Sequence, residues 1–286
     1  MKLQAARSES GGLPRRCISL GVAALLGMFP SARLVEAQTD YYNTSVGRPL
    51  RIEDASPVEY RAIEFDVAPL RFESAGGGQR RWSLHPETAV GLLPRTQLQV
   101  GLPIAYLDAN GTSSGGVAGL EISLLHALNA ETSIPALAVA ADVVLPAGPL
   151  AADATYGTLK GIVTRTTPWA RFHANAQLTV GPSQTATGTT TGTDVPSSVQ
   201  SSDVSRWLAG VAVDKTFPLH SLLVSIESFA EQPIDSAESV AWNAAAGLRY
   251  QLAPRWAIDG GIGRRFTGDD RAWYVTFGSA FALGLR

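Results

Sequence analysis

Apolar and polar residues alternate along most of this chain, in segments of roughly ten residues. Between Thr96 and Tyr106 every second residue is apolar or aromatic: Leu98, Val100, Leu102, Ile104 and Tyr106. The residues between them are polar or small: Gln97, Gln99, Gly101, Pro103 and Ala105. Neighbouring side chains of a strand point to opposite faces, so a period of two predicts strands rather than helices.

About twelve such segments follow one another along the chain. The pattern predicts strands at 60–73, 80–92, 95–107, 116–129, 133–147, 155–167, 169–181, 204–216, 219–231, 239–252, 254–265 and 271–283. Every second connection is short, as at Leu93-Pro94, 129–132 and Thr167-Pro168, whereas others, such as 107–115 and 181–203, are longer and polar. An even number of strands, with short turns on one side and long loops on the other, is typical of outer-membrane β-barrels.

The six tryptophans fall near the ends of the predicted strands. Trp82, Trp207, Trp242 and Trp273 lie near the long loops, and Trp169 and Trp256 lie near the short turns. Amphipathic rings at both ends of an apolar band match two membrane interfaces. A soluble β-sandwich, the alternative, would place its large rings in the middle of its strands. The pattern favours a single all-β antiparallel transmembrane barrel.

Residues 134–152 are nearly all apolar and allow a helix as an alternative. The stretch contains Pro135, Pro146 and Pro149, and Asp142 lies near its centre. As a strand, the segment would turn its aliphatic side chains to lipid and Asp142 inward, which leaves no charge in hydrocarbon. We therefore predict a strand here.

Composition excludes two other classes of protein. Charged residues make up 17% of the chain, the formal net charge is −2, and the mean hydropathy is only +0.07. No clean apolar run of about 18 residues occurs, which argues against a bundle of membrane helices. A nearly neutral chain also lacks the basic excess that binding to nucleic acid requires.

The N-terminus has the features of a secretory signal peptide. Arg15 and Arg16 precede an apolar stretch from Cys17 to Phe29, and Val35-Glu36-Ala37 offers a cleavage site. We expect three parts: a signal peptide at 1–37, a polar N-terminal segment at 38–58 and the barrel at 59–286. Cys17, the one cysteine, would be lost on cleavage.

Several short motifs occur in the order seen in one known family. They are Arg48-Pro49-Leu50-Arg51-Ile52-Glu53-Asp54-Ala55, Gly119-Leu120-Glu121, Pro135-Ala136-Leu137-Ala138, Leu145-Pro146-Ala147-Gly148, Arg171-Phe172-His173-Ala174-Asn175, Ala246-Gly247-Leu248-Arg249-Tyr250, Pro254-Arg255 and Asp259-Gly260-Gly261-Ile262-Gly263. Together they cover 48–283 and resemble the outer-membrane transporter family named for the MetA pathway of phenol degradation.

The resemblance implies a barrel in the bacterial outer membrane that handles small aromatic compounds. It implies lipids, a small-molecule solute and the barrel assembly machinery as partners, with no nucleic acid and no cofactor. Barrels of this kind usually end on an aromatic residue, whereas this chain ends Leu283-Gly284-Leu285-Arg286.

The polar faces of the predicted strands supply the candidate functional residues. We expect these to line the lumen: Asp66, His85, Glu87, Gln99, Glu121, Asp142, Arg171, His173, Asn175, Gln177, Glu227, Arg249 and Asp259. Mixed carboxylates and arginines would either brace the wall or form a selectivity zone for a small solute. Small inward residues, among them Gly210, Ala245 and Gly278, would leave space for solute or for the 38–58 segment as a plug.

An outer-membrane hydrolase is a further alternative. Gly111-Thr112-Ser113-Ser114-Gly115 matches G-x-S-x-G, but a nucleophile elbow requires a following helix, which the strand pattern does not predict. His173 with Asn175, or His85 with Glu87, would be a catalytic pair without a nucleophile motif. The four histidines show no metal-site spacing. We therefore predict no catalytic residues and no metal. The predicted function is a channel for small solutes rather than an enzyme, with a non-conducting structural or binding barrel as the alternative.

Overall fold

A computed structural model describes residues 50–67, 70–109, 111–181, 205–234, 239–267 and 271–284. Four predictions fall on other residues: the signal peptide at 1–37, most of the polar segment before residue 50, the 181–203 loop beyond Gly181, and the terminal Leu285-Arg286. No helix within the described ranges is long and apolar enough to cross a bilayer.

The described residues form sixteen strand segments and two short 3-10 turns. The strands are β1 (Ala62–Asp66), β2 (Leu70–Ala75), β3 (Arg80–Leu84), β4 (Glu87–Leu93), β5 (Thr96–Gly101), β6 (Ile104–Ala109), β7 (Thr112–Val117), β8 (Leu120–Ala127), β9 (Ala136–Leu145), β10 (Tyr156–Thr166), β11 (Arg171–Val180), β12 (Arg206–Phe217), β13 (Leu222–Pro233), β14 (Ala241–Ala253), β15 (Trp256–Arg265) and β16 (Ala272–Gly284). The turns are Gly76–Gly78 and Pro218–His220.

The first eight segments are the two halves of four interrupted wall strands: β1 with β2, β3 with β4, β5 with β6, and β7 with β8. Together with β9 to β16 they give a barrel of twelve wall strands. The interruptions between β3 and β4 and between β5 and β6 contain Pro86 and Pro103, which have no N–H to donate to the ladder. Backbone bonds from Leu102 to Pro86 and from Ala118 to Pro103 carry the pairing across these breaks.

The sheet closes between its first and last strands. β1 pairs antiparallel with β16, with Phe65 opposite Phe281, and every other neighbour is also antiparallel. Closure gives β1 a partner on both sides, as a strand surrounded by lipid requires. Among the described residues, β7 at the long-loop end has β6 as its one strand neighbour. The prediction of a single antiparallel barrel of about twelve strands is confirmed.

Two predicted connections are wrong in length. Residues 107–115, expected as a long polar loop, instead extend the wall as β6 and β7, with only residues 110 and 111 between them. Gly111 has φ +81°, which favours glycine over residues with a side chain. Conversely, the expected short turn at 129–132 spans all of 128–135, between β8 and β9.

The outer surface of the barrel is a belt of exposed apolar side chains. In β9, Leu137, Val139 and Val143 are exposed, and the residues between them are buried. Trp82, Trp242 and Trp273 are exposed near the long-loop end, and Trp169 and Trp256 near the short-turn end. Rings at both rims of an apolar belt suit the two interfaces of a bilayer.

A charge placed in the middle of this belt should destabilise the barrel strongly. Val211 lies halfway along β12 with 57% of its surface exposed, so Val211→Arg should cost about 2–4 kcal/mol of unfolding free energy. Leu219, 97% exposed in the 218–220 turn, is the matched control, and Leu219→Arg should cost about 0–1 kcal/mol. Urea unfolding from lipid vesicles measures both, and equal losses would place Val211 outside the hydrocarbon.

Candidate functional site

Residues 50–58, called here the inner segment, lie inside the barrel against its wall. Backbone N–H groups of the segment donate to three wall side chains: Arg51 and Ile52 to Glu227 Oε2 (2.7 and 2.8 Å), Ala55 to Thr164 Oγ1 (2.9 Å) and Val58 to Gln97 Oε1 (2.8 Å). Gln97 is on β5 and Glu227 on β13, the third and the ninth of the twelve wall strands. These strands face each other, so the inner segment crosses the bore.

The apolar side chains of the inner segment pack on apolar patches of the inner wall. Three buried clusters result: Leu50 and Ile52 with Leu208, Phe229 and Tyr274; Ala55 with Leu125 and Ile162; Val58 with Ala62 and Ala89. Gly210 makes room for this packing, because a Cβ there would lie 2.7 Å from Ile52 Cδ1. The space left by small inner-wall residues is thus filled in part by the inner segment.

A continuous chain of polar contacts joins Ala55 to its neighbour Asp54 through the wall. Ala55 N–H donates to Thr164 Oγ1, and Thr164 Oγ1 lies 3.0 Å from His173 Nδ1. His173 Nε2 lies 2.9 Å from Asp214 Oδ2, and Asp214 accepts bonds from the Nε and Nη2 of Arg171 (2.9 and 2.8 Å). Arg171 Nη1 in turn lies 3.6 Å from Asp54 Oδ2. A neutral His173 with its proton on Nε2 satisfies this chain: Thr164 donates to Nδ1, and Nε2–H donates to Asp214.

A second polar cluster ties Glu53 of the inner segment to the wall. Lys160 Nζ lies 3.1 Å from Glu53 Oε1 and 2.8 Å from Asp142 Oδ2. Ser123 donates to the other Asp142 oxygen at 2.5 Å. The Asn175 amide, in its better orientation, accepts from Glu53 N–H at 2.7 Å and donates to Glu53 C=O at 2.9 Å. The structure therefore brings Asp142, Arg171, His173, Asn175 and Glu227 together around the inner segment.

A third group lies midway up the wall and is more open to solvent. His85 Nδ1 lies 3.2 Å from Glu87 Oε1, and His85 Nε2 lies 3.3 Å from Glu121 Oε2. Gln99 donates to Glu87. The His85 and Glu121 side chains keep 28% and 23% of their surface exposed. This group provides charged, hydrated surface on the inside of the barrel.

Three of the remaining candidates are buried: Arg249 and Asp259 toward the short-turn end, and Asp66 at the height of the third group. Arg249 and Asp259 are directly opposite each other on β14 and β15. The Asp259 carboxylate occupies the space over Gly278, where a Cβ would clash with it. Asp66 stands opposite Glu87 on β4. Gln177, the last candidate, is half-buried on β11 opposite Lys160.

Sequence reasoning missed a group of arginines at the long-loop end. Arg71 and Arg265 each lie 3.0 Å from one oxygen of Glu73, and Arg81 is directly opposite Glu73 on β3. Arg71 and Glu73 alternate with Phe72 inside the predicted strand 60–73, so the same period of two would have found them.

The described residues around His173 do not form a hydrolase site. The hydroxyl nearest His173 is that of Thr164, which is buried and hydrogen-bonded to Ala55, and the His173 side chain has no exposed surface. Thr112 to Gly115 of the G-x-S-x-G match lie within β7, which is followed by β8 rather than by a helix. Within the described ranges, no group of three or more histidine, cysteine or acidic residues could hold a metal ion.

Comparison with known proteins yields likenesses of structure but not of sequence. No protein-family model matches the chain, and no curated protein matches it in sequence. An outer membrane channel from Pseudomonas putida F1 superposes with a TM-score of 0.54 at 11% identity, over 82% of this chain and 99% of that one. The NanC porin superposes with a TM-score of 0.50 at 8% identity, over 76% and 98%.

A third structure, the CymD monoaromatic hydrocarbon channel, has a TM-score of 0.46 at 7% identity, over 79% of this chain and 89% of that one. At such identities, the first two likenesses show the fold: a closed antiparallel barrel of the outer-membrane kind. Together with the apolar belt and the aromatic residues at both rims, the fold places the protein in the bacterial outer membrane.

Proposed function

We propose that the protein is an outer-membrane channel for small solutes and not an enzyme. The single observation that carries this proposal is charge on the inside of a wall whose outside is apolar. His85, Glu121, Arg71 and Arg265 point inward and keep 21–28% of their side-chain surface exposed. Partly exposed charges inside a membrane barrel require water, and a hydrated lumen is what a solute path needs.

Two further points support the proposal. The Pseudomonas putida structure is described as an outer membrane channel and NanC as a porin, and both share this fold. The resemblance to the transporter family of the MetA pathway adds small aromatic compounds as the solute class. Twelve strands enclose a bore between the filled eight-stranded barrels and the open sixteen-stranded porins, so the path should be narrow.

Conductance of the refolded protein in a planar bilayer tests the proposal. We expect discrete current steps, smaller than those of sixteen-stranded porins, from protein whose heat-dependent gel mobility shows a folded barrel. A folded barrel that gives no current steps, even without its inner segment, would overturn the proposal.

A second candidate function is a non-conducting barrel with a structural or ligand-binding role. The inner segment favours it, because its contacts reach opposite walls. We propose that residues 38–58 act as a plug behind a cleaved signal peptide at 1–37, and that 59–286 form the barrel. On this view Asp142, Arg171, His173, Asn175 and Glu227 hold the plug, and His85, Glu87, Gln99 and Glu121 face the lumen beside it.

A further inference from the structure

The long-loop end of the lumen carries a cluster of three arginines: Arg71, Arg81 and Arg265. Arg71 Nη2 contacts Glu73 Oε2, and Arg265 Nη2 contacts Glu73 Oε1, both at 3.0 Å. Each carboxylate oxygen therefore has its own guanidinium. The cluster already holds one carboxylate, that of Glu73, through one charge-assisted hydrogen bond from each of two arginines.

Tyr274 holds the Arg71 guanidinium of this cluster in place. The Arg71 guanidinium carbon lies 3.7 Å from the centroid of the Tyr274 ring. The ring in turn covers Gly263, where any Cβ would collide with it. A guanidinium held between a ring face and a carboxylate loses little further freedom when a ligand arrives.

Arg81 completes the cluster and is its most accessible member. It lies directly opposite Glu73, and so on the same inner face, and its side chain is exposed. Within the described residues the Arg81 side chain makes no hydrogen bond, so a ligand that binds to it does not have to displace one. Among the described contacts of the cluster, three guanidinium groups face one carboxylate, that of Glu73.

We propose that the arginine cluster binds the carboxylate of a small organic anion at the long-loop mouth of the lumen. The inference rests on the proposed channel function and names its solute class. A carboxylate would pair with Arg81 and with the Arg71 guanidinium, beside the position of Glu73, and Arg265 would add positive charge close by. Arginine rings at a pore mouth concentrate anions in the same way.

Equilibrium binding to the folded protein in detergent micelles tests the site independently of conductance. The probes are benzoate, its neutral analogue benzamide, and inorganic phosphate. We expect benzoate to bind more tightly than either of the others. Arg81→Gln should weaken benzoate binding by about tenfold or more, as the loss of one charged hydrogen bond would. Glu73→Gln should strengthen it, because one competing negative charge is gone.

Arg80→Gln is the matched control. Arg80 precedes Arg81 in β3 and lies on the opposite face of the strand, so its loss removes the same charge outside the cluster. We expect less than about a twofold change. Equal binding of benzoate and benzamide, tighter binding of phosphate, or equal effects of the Arg80 and Arg81 variants would each overturn the proposal.

Bilayer currents separate failure of the site from failure of the channel. If the protein conducts, benzoate should reduce the current in the concentration range in which it binds, and Arg81→Gln should abolish that reduction. Conductance with no effect of benzoate would refute the site and leave the channel standing. Benzoate binding to a barrel that never conducts would refute the channel and leave the site standing.

Discussion

Removal of residues 38–58 is expected to raise the single-channel conductance several-fold. The inner segment bridges Gln97 and Glu227 on opposite walls, so a chain of atoms crosses the bore that ions must use. The wall itself pairs from β1 to β16 without the segment, so the barrel should still close. Conductance of both forms in the same planar bilayer, at the same salt concentration, gives the comparison.

Two variants keep this prediction specific. Removal of 38–47 alone, which leaves every described contact in place, should change the conductance little. Ile52→Asp should raise the open fraction without any deletion, because it replaces a side chain packed on Phe229 by a carboxylate. That change removes about 2–3 kcal/mol of stabilisation by apolar burial and adds the free-energy cost of burying a charge. Unchanged conductance in both the 38–58 deletion and Ile52→Asp would show that the segment does not restrict the path.

Periodicity was sufficient to predict the wall because every wall residue has only two directions to point. Lipid on one side and water on the other sort side chains by polarity, and the sorting is visible as a period of two. The 107–115 error has a local cause: serine and glycine content suggested a loop. The dipeptide Asn110-Gly111, among the strongest hairpin signals, marked the tight turn.

The partners within the lumen could not be predicted in the same way. Strand period shows that Arg171, His173 and Asp214 share a face, but their contacts depend on register between β11 and β12, which sets Arg171 opposite Asp214. The inner segment has no period at all. Its contacts join residues up to 176 positions apart, such as Arg51 and Glu227, and only the closed barrel brings them together.

Within the described residues, we expect Asp214→Ala to be among the most destabilising substitutions inside the barrel. Asp214 is completely buried and accepts bonds from Arg171 and His173, so its loss leaves a buried guanidinium with one fewer carboxylate. Removing one partner of such a pair costs about 3–5 kcal/mol. Urea unfolding in micelles, followed by tryptophan fluorescence and gel mobility, measures the loss.

Glu231→Ala is the matched control for this effect. Glu231 also faces an arginine, but its Oε2 lies 4.0 Å from Arg206, whose side chain is 37% exposed. Its Oε1 accepts a 3.5 Å bond from Asn243, whose amide keeps a bond to the Ala241 carbonyl when Glu231 is lost. Water replaces the lost partner there, so the cost should stay within about 0–1 kcal/mol. Asp214→Ala should also loosen the inner segment, since Arg171 reaches Asp54 from the same site, and the conductance should rise. Equal losses of stability in the two variants would contradict the view that burial, and not charge pairing alone, determines the strength of these contacts.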